Sequence, residues 1–160
     1  MNLTLSEMQK HEYWMGLALQ QARNAAENDE VPVGAVLVDK EGKELAQRYN
    51  QKEMLHNSIA HAEILCIQEA SDKLQNWRLK DCTLYVTLEP CMMCLAALIQ
   101  ARIKLLVFGA YDKKGGSLSL GYPLYKDHRF NHQFAVMGGV RHYDCAKILS
   151  DFFKIKRLSL

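Results

Sequence analysis

Four side chains in two short stretches, His61-Ala62-Glu63 and Pro90-Cys91-Met92-Met93-Cys94, supply one imidazole, one carboxylate and two thiols. Imidazole and thiolate suit a borderline-soft ion such as Zn2+, and three protein ligands leave the fourth tetrahedral position open to water. Cys91 and Cys94, three apart on a helix, lie about 60° apart around its axis, so both sulfurs can reach one ion. A helix N-terminus favours the thiolate that metal binding requires. Glu63 would then be a base beside the water rather than a ligand. Zinc lowers the pKa of bound water from 15.7 to about 7. A carboxylate free of the metal can take that proton, pass it to a ring nitrogen and later protonate a departing amine. The chemistry expected is hydrolysis at an amidine-like carbon.

Other readings of the same residues are blander. Cys-x-x-Cys alone fits a redox dithiol, half of a structural zinc site, or two buried residues. A redox pair has no use for an accompanying His-x-Glu. A structural site would need a fourth ligand from Cys66, Cys82 or Cys145, and Cys66 falls off the ligand face of its predicted helix. Residues two apart point to opposite sides of a regular helix, about 200° apart. His61 and Glu63 can therefore address one ion only at a helix entrance.

The elements that must position these groups are legible along the chain. Ser6 and Gln9 resemble a capping box ahead of a helix to about Asn28, with Trp14, Leu17, Ala18, Ala22 and Ala25 on its buried face. Val33–Asp39 reads as a strand covered on both faces, Lys40–Lys43 as a turn and Glu44–Asn50 as its hairpin partner. A polar loop leads to a helix from His61 to about Gln75, with Ile64, Leu65, Ile67 and Ala70 on or near the inner face. Strand Thr83–Leu88, helix Cys91–Arg102 and strand Ile103–Phe108 make a βαβ crossover, with Pro90 at the helix start. A glycine-containing loop over 110–121 follows, then a short helix including Tyr125–His128 and a fifth strand at Phe134–Met137. The last helix, His142 to Lys156, is expected to bury Ala146, Leu149, Phe152 and Phe153. The expectation is one α/β domain over residues 1–160, a mixed sheet with helices on both sides.

Composition excludes several classes. The chain is 160 residues, 49% hydrophobic and 24% charged, which is ordinary for a globular domain. A chain of this length buries about 70% of its unfolded surface and needs no disulfide staple. The odd count of five cysteines, with no secretory pattern before them, points to a reducing, cytoplasmic setting. No apolar run approaches the roughly 18 residues of a membrane span. A net charge of +2 permits an acidic partner without demanding one.

His-Ala-Glu followed by Pro-Cys-x-x-Cys resembles the signature of the cytidine/deoxycytidylate deaminase superfamily. Within it, the chain is similar to the bacterial tRNA adenosine deaminases over nearly its whole length. The matching stretches include His11–Met15, Glu30–Val38, Ala60–Ile64, Thr83–Cys91, Val107–Ala110, Asn131-His132 and Leu149–Phe153. The resemblance implies a three-layer cytidine-deaminase-like fold with a central mixed five-stranded sheet. It implies one Zn2+ per subunit on His61, Cys91 and Cys94, with Glu63 as proton shuttle. It also implies hydrolysis of adenosine to inosine at the wobble position of a tRNA anticodon. Asn50 would hydrogen-bond the purine, Val31-Pro32-Val33 would form an apolar wall, and Asp112 would sit at the pocket mouth near the sugars. Without the resemblance, Asn50 fits a strand-ending turn, Asp112 a loop and Val31 and Val33 a core.

Met92, Met93, Leu95, Ala96, Ala97, Leu98 and Ile99 make the third helix apolar nearly all round, which fits either the sheet's cover within one chain or an interface; the resemblance implies a homodimer with this helix at the contact. Lys154, Lys156 and Arg157, and the group Lys126, His128 and Arg129, can pair with RNA phosphates or stand as solvated surface. One departure falls near the site. Where relatives carry small residues, Lys114-Gly115-Gly116 runs into Ser117-Leu118-Ser119-Leu120-Gly121. The rival expectations are deamination of a free base or nucleotide (guanine, cytosine or deoxycytidylate), a non-catalytic zinc-stabilised RNA-binding module, and a thiol oxidoreductase.

Overall fold

In the computed structural model, which describes residues 4–159, helix α1 (Leu5–Glu27) begins at Thr4. The Thr4 hydroxyl accepts the Glu7 amide, and the Glu7 carboxylate accepts the Thr4 amide at 2.7 Å. The capping box thus lies two residues before the expected Ser6–Gln9 pair, because Ser6 is already inside the first helical turn. Trp14, Ala18, Ala22 and Ala25 form the buried face as expected, joined by Met15 and Leu19, while Leu17 is only half-buried at its edge.

Five strands follow: β1 (Gly34–Val38), β2 (Glu44–Tyr49), β3 (Thr83–Leu88), β4 (Leu105–Ala110) and β5 (Ala135–Gly138). Their order in the sheet is β2-β1-β3-β4-β5; β1 pairs antiparallel with β2 and β3, while β3, β4 and β5 run parallel. The expected mixed five-stranded sheet is therefore present. Its period-2 alternation sends side chains to two cores. Ala35, Leu37, Leu84, Val86, Leu106 and Phe108 meet helices α2 (Ala62–Leu74) and α3 (Met92–Ala101). On the other face Val36, Val38, Tyr85 and Val107 meet α1 and helix α4 (His142–Leu158). Burial on both faces explains the unbroken apolar run of β1. A Cβ on Gly34 would stand 2.0 Å from the Ala18 carbonyl, so glycine sets how closely α1 lies on the sheet.

The structure adjusts the expected burial and bounds of four elements. On α2 the buried positions are Ala62, Glu63, Cys66 and Ala70, while Ile64, Leu65 and Ile67 are half-buried. On α4 only Cys145 is buried; Ala146, Leu149 and Phe152 are half-buried and Phe153 is 43% exposed. A 17-residue helix runs about 25 Å against strands of roughly 15–20 Å, so its last turns overhang the sheet. The strand expected at Ile103–Phe108 begins two residues later, because the Ile103 and Lys104 amides bond to Leu98 and Cys82 as the chain leaves α3. The short helix is a single 3-10 turn, Leu124–Lys126.

Candidate active site

His61 and Cys91 occupy equivalent positions: each is the N-cap of a helix, α2 and α3 respectively, with extended backbone (φ −73°, ψ 150° and φ −69°, ψ 172°). Caps are ordinarily Ser, Thr, Asp or Asn, whose oxygens bond the first amides. Neither of these side chains does so. Both are turned instead toward each other and toward Cys94 in the first turn of α3. The Nδ1 of His61 lies 3.7 Å from Cys91 Sγ and 3.5 Å from Cys94 Sγ. All three ligand atoms fall within 4.8 Å of one another. The helix-entrance condition for a His-x-Glu pair is met, since His61 is non-helical and Glu63 sits in the first turn.

This donor set fits zinc. With bonds of about 2.1 Å to nitrogen and 2.3 Å to sulfur at tetrahedral angles, N···S separations come to about 3.6 Å. The observed separations bracket that value. The two thiols sit in unequal surroundings. The hydrogen bond from Cys94, with His61 beside it, pulls Cys91 down to about 4. The same contact, with burial, pushes Cys94 up, and the contact with Cys91 raises His61. A cation among the three atoms would support both thiolates.

No other cysteine offers a fourth ligand. Cys66 is buried among apolar neighbours, its thiol donating to the Ala35 carbonyl at 3.4 Å. Burial raises the thiol pKa values of Cys66, of Cys82 (to about 11) and of Cys145 (to about 12). Among the described residues the cluster has three ligands, which leaves one position open.

The open side faces a cavity of about 290 Å3 lined by Val31, Asn50, His61, Glu63, Cys91 and Asp112. The structure thus gathers these sequence-predicted residues in one place, with Cys94 buried behind them. Glu63 is 4% exposed, and burial lifts its carboxyl above the usual carboxylate range. The Asn50 amide is pinned, Nδ2 donating to the Val31 carbonyl at 3.2 Å and Oδ1 accepting the Lys52 amide at 3.3 Å. Asp112 Oδ1 accepts the Lys114 and Gly115 amides at 3.0 and 3.1 Å.

Lys52, Leu88, Glu89 and Gly115 also line the cavity and were missed as site residues. Glu89, 2% exposed, is the anchor of one wall: its carboxylate accepts the Asp112 amide (3.0 Å), the Ser119 amide (2.7 Å) and the Ser119 hydroxyl (2.5 Å). Its place directly before Pro90-Cys91 did not announce this role, which depends on amides 23 and 30 residues away. The two leucines of the departing loop stay out of the cavity: Leu118 packs against the α3-side core and Leu120 is 45% exposed. The basic groups lie apart from the cavity lining. Lys156 pairs with Asp29 at 2.5 Å and Arg129 with Asp127 at 2.6 Å, while Lys154 and Arg157 are exposed.

The profile of the MafB19-like deaminases matches residues 9–157. Fold and match together define the class, a deaminase built on the mixed five-stranded sheet. The tRNA-specific adenosine deaminase of Bacillus subtilis is 46% identical over 147 residues, which is 92% of this chain and 91% of that protein. A structure solved in studies of A-to-I editing by tRNA:A34 deaminases at the wobble position gives a TM-score of 0.82 at 44% identity, over 86% of this chain and 99% of that one. The guanine deaminase of Bacillus subtilis is more distant, with 32% identity and a TM-score of 0.61 over 70% of each chain. The chain belongs to the family of tRNA-specific adenosine deaminases.

Proposed function

We propose that the protein is a zinc-dependent hydrolase that converts adenosine to inosine at the wobble position of a tRNA anticodon. One observation carries this reading: three zinc-type ligands converge within 4.8 Å beside a cavity that a buried Glu63 and a pinned Asn50 also line. His61, Cys91 and Cys94 would hold one Zn2+ per subunit. When bound there, the ion supplies Lewis acidity that brings the pKa of water to about 7. Glu63 takes a proton from the attacking water, gives it to the adenine ring nitrogen and hands one to the amine leaving C6. Its burial-raised pKa suits the acid half of that cycle. Asn50 orients the purine, Val31 and Val33 wall its faces, and Asp112 meets the ribose.

An anticodon loop is a fitting substrate because its bases are single-stranded and splay into a pocket at low cost. Residues 1–160 act as one catalytic domain, in the cytoplasm. A homodimer contact falls on the outer side of α3, where Met92 is 44% exposed and Met93, Ala96 and Ala97 are half-buried. Among the described residues no helix is long and apolar enough to cross a membrane.

The test is to sequence tRNA before and after incubation with zinc-loaded protein, reading inosine as guanosine, while measuring ammonia from guanine, cytidine and deoxycytidylate. Adenosine-to-guanosine conversion at the wobble position is expected. Unchanged tRNA with rapid turnover of a small substrate would replace this reading with free-base or nucleotide deamination.

A further inference from the structure

The loop from Gln51 to Ala60 is held by a carboxylate that belongs to neither the loop nor the metal cluster. Glu30, 1% exposed, accepts the Met54 amide at 2.6 Å and the Glu53 amide at 3.2 Å. Just upstream, the Asn50 amide bonds the Val33 carbonyl at 2.9 Å, and the Gln51 amide bonds the Ala60 carbonyl at 3.1 Å. Between these anchors stands Lys52. Its amide is tied to Asn50 Oδ1, and its carbonyl accepts the Asn57 amide at 3.0 Å. The backbone of Lys52 is therefore fixed on both sides, while its side chain is exposed and lines the cavity.

That lining contains three carboxylates, from Glu63, Glu89 and Asp112, and Lys52 is its one lysine or arginine. Among the described residues no carboxylate lies within 4.0 Å of the Lys52 ammonium, although seven other ion pairs form. A cation held beside acids but paired with none of them suits an anion delivered from outside. An adenine inserted base-first leaves its ribose and flanking phosphates at the mouth. A free base brings no phosphate.

We propose that Lys52 is a specificity residue: its ammonium receives a backbone phosphate of the target nucleotide, so the cavity favours a nucleotide within an RNA chain over a free base. Glu30 is its positioning residue, since it fixes the loop on which Lys52 stands. This rests on the reading that the substrate is RNA. Lysine serves such a contact as a point charge, so Lys52→Arg should substitute for it and Lys52→Gln should not.

The experiment measures binding of an anticodon stem-loop by zinc-loaded Glu63→Gln protein, with and without Lys52→Gln, across a range of salt. Loss of one phosphate contact weakens binding about five- to tenfold at low salt and flattens the log–log salt dependence by about 0.7. In the Glu63 background Lys52→Gln raises KM for the stem-loop and leaves kcat unchanged, and Glu30→Gln moves the same quantities in the same direction. Unchanged affinity and salt slope overturn the proposal, as does a fall in kcat with KM unaltered. If stem-loop binding depends on Lys52 but the wild-type protein deaminates no RNA, the deamination reading falls and the Lys52 contact stands.

Discussion

Gly116 packs so closely on Glu89 that a Cβ at position 116 would lie 2.3 Å from the Glu89 carboxyl carbon and within 2.6 Å of both its oxygens. The same carboxylate holds the Asp112 amide and both the amide and hydroxyl of Ser119. Gly116→Ala must therefore displace the anchor of one cavity wall. Because none of His61, Cys91 and Cys94 lies in that loop, metal content should stay at wild-type level. Misplacing Asp112 by an ångström should lower kcat/KM on tRNA about 10- to 100-fold, with overpacking costing about 1–3 kcal/mol of stability. Steady-state kinetics with metal analysis checks this; a fully active variant would show that the wall moves freely.

Glu63 reaches the cavity without belonging to the three-ligand cluster. Glu63→Gln keeps the volume and removes the proton-accepting oxygen. The expected result is full zinc occupancy, unchanged stem-loop affinity and a kcat reduced by about 10^2- to 10^4-fold, the usual worth of a general acid–base. Wild-type turnover in this variant would sink the shuttle role, whereas stem-loop binding with no deamination by either protein would favour a non-catalytic RNA-binding module.

Much of this site is legible in the chain because its determinants are local. His61-x-Glu63 and Cys91-x-x-Cys94 each occupy a single helix start, and the strands carry period-2 apolar patterns that need no knowledge of their partners. Glu30, Lys52 and Glu89 lie beyond that reach. Their partners are backbone amides 23 to 30 residues away, or a cavity formed by five separate segments. Nothing in the type or spacing of Glu30 distinguishes it from a solvated helix-end acid. The α4 aromatics failed for a related reason: Phe153 has the right period for a core position but lies past the edge of the sheet it would cover. In the Ser117–Leu120 departure, half-buried Leu118 packs against the core and Ser119 bonds Glu89, pairings that the sequence spacing does not announce.

Chelation should lower thermal stability as well as activity. An ion that binds only the folded state at 100 times its Kd contributes about 2.7 kcal/mol. For a chain of 160 residues this corresponds to roughly 5–10 °C in Tm. Calorimetry before and after treatment with a chelator, followed by Zn2+ addition, measures the shift and its reversal. In Cys91→Ser or His61→Ala protein the chelator-dependent shift should collapse. Its persistence in both variants would place the metal elsewhere.

His11 gives a pH signature independent of the metal cluster. It is 9% exposed on α1, with its Nδ1 2.9 Å from the Tyr85 hydroxyl across the sheet core. Burial, followed by the neighbouring Lys10, lowers its pKa below the ordinary 6.5, with Glu7 opposing. The unfolded chain therefore takes up a proton first. As pH falls through 6.5 the unfolded state gains a proton that the folded state refuses, so stability declines until pH passes the lower folded pKa and the loss levels off. The slope is bounded by one proton, about 1.4 kcal/mol per pH unit. Urea unfolding of wild-type and His11→Phe protein from pH 8 to pH 5 isolates this contribution, because every other titrating group cancels in the difference. The advantage of wild type over His11→Phe should shrink below pH 6.5. A constant difference would mean that folding leaves the His11 pKa unshifted, and one that grows as pH falls would mean that His11 is charged in the fold and donates its proton to Tyr85; either result overturns the prediction.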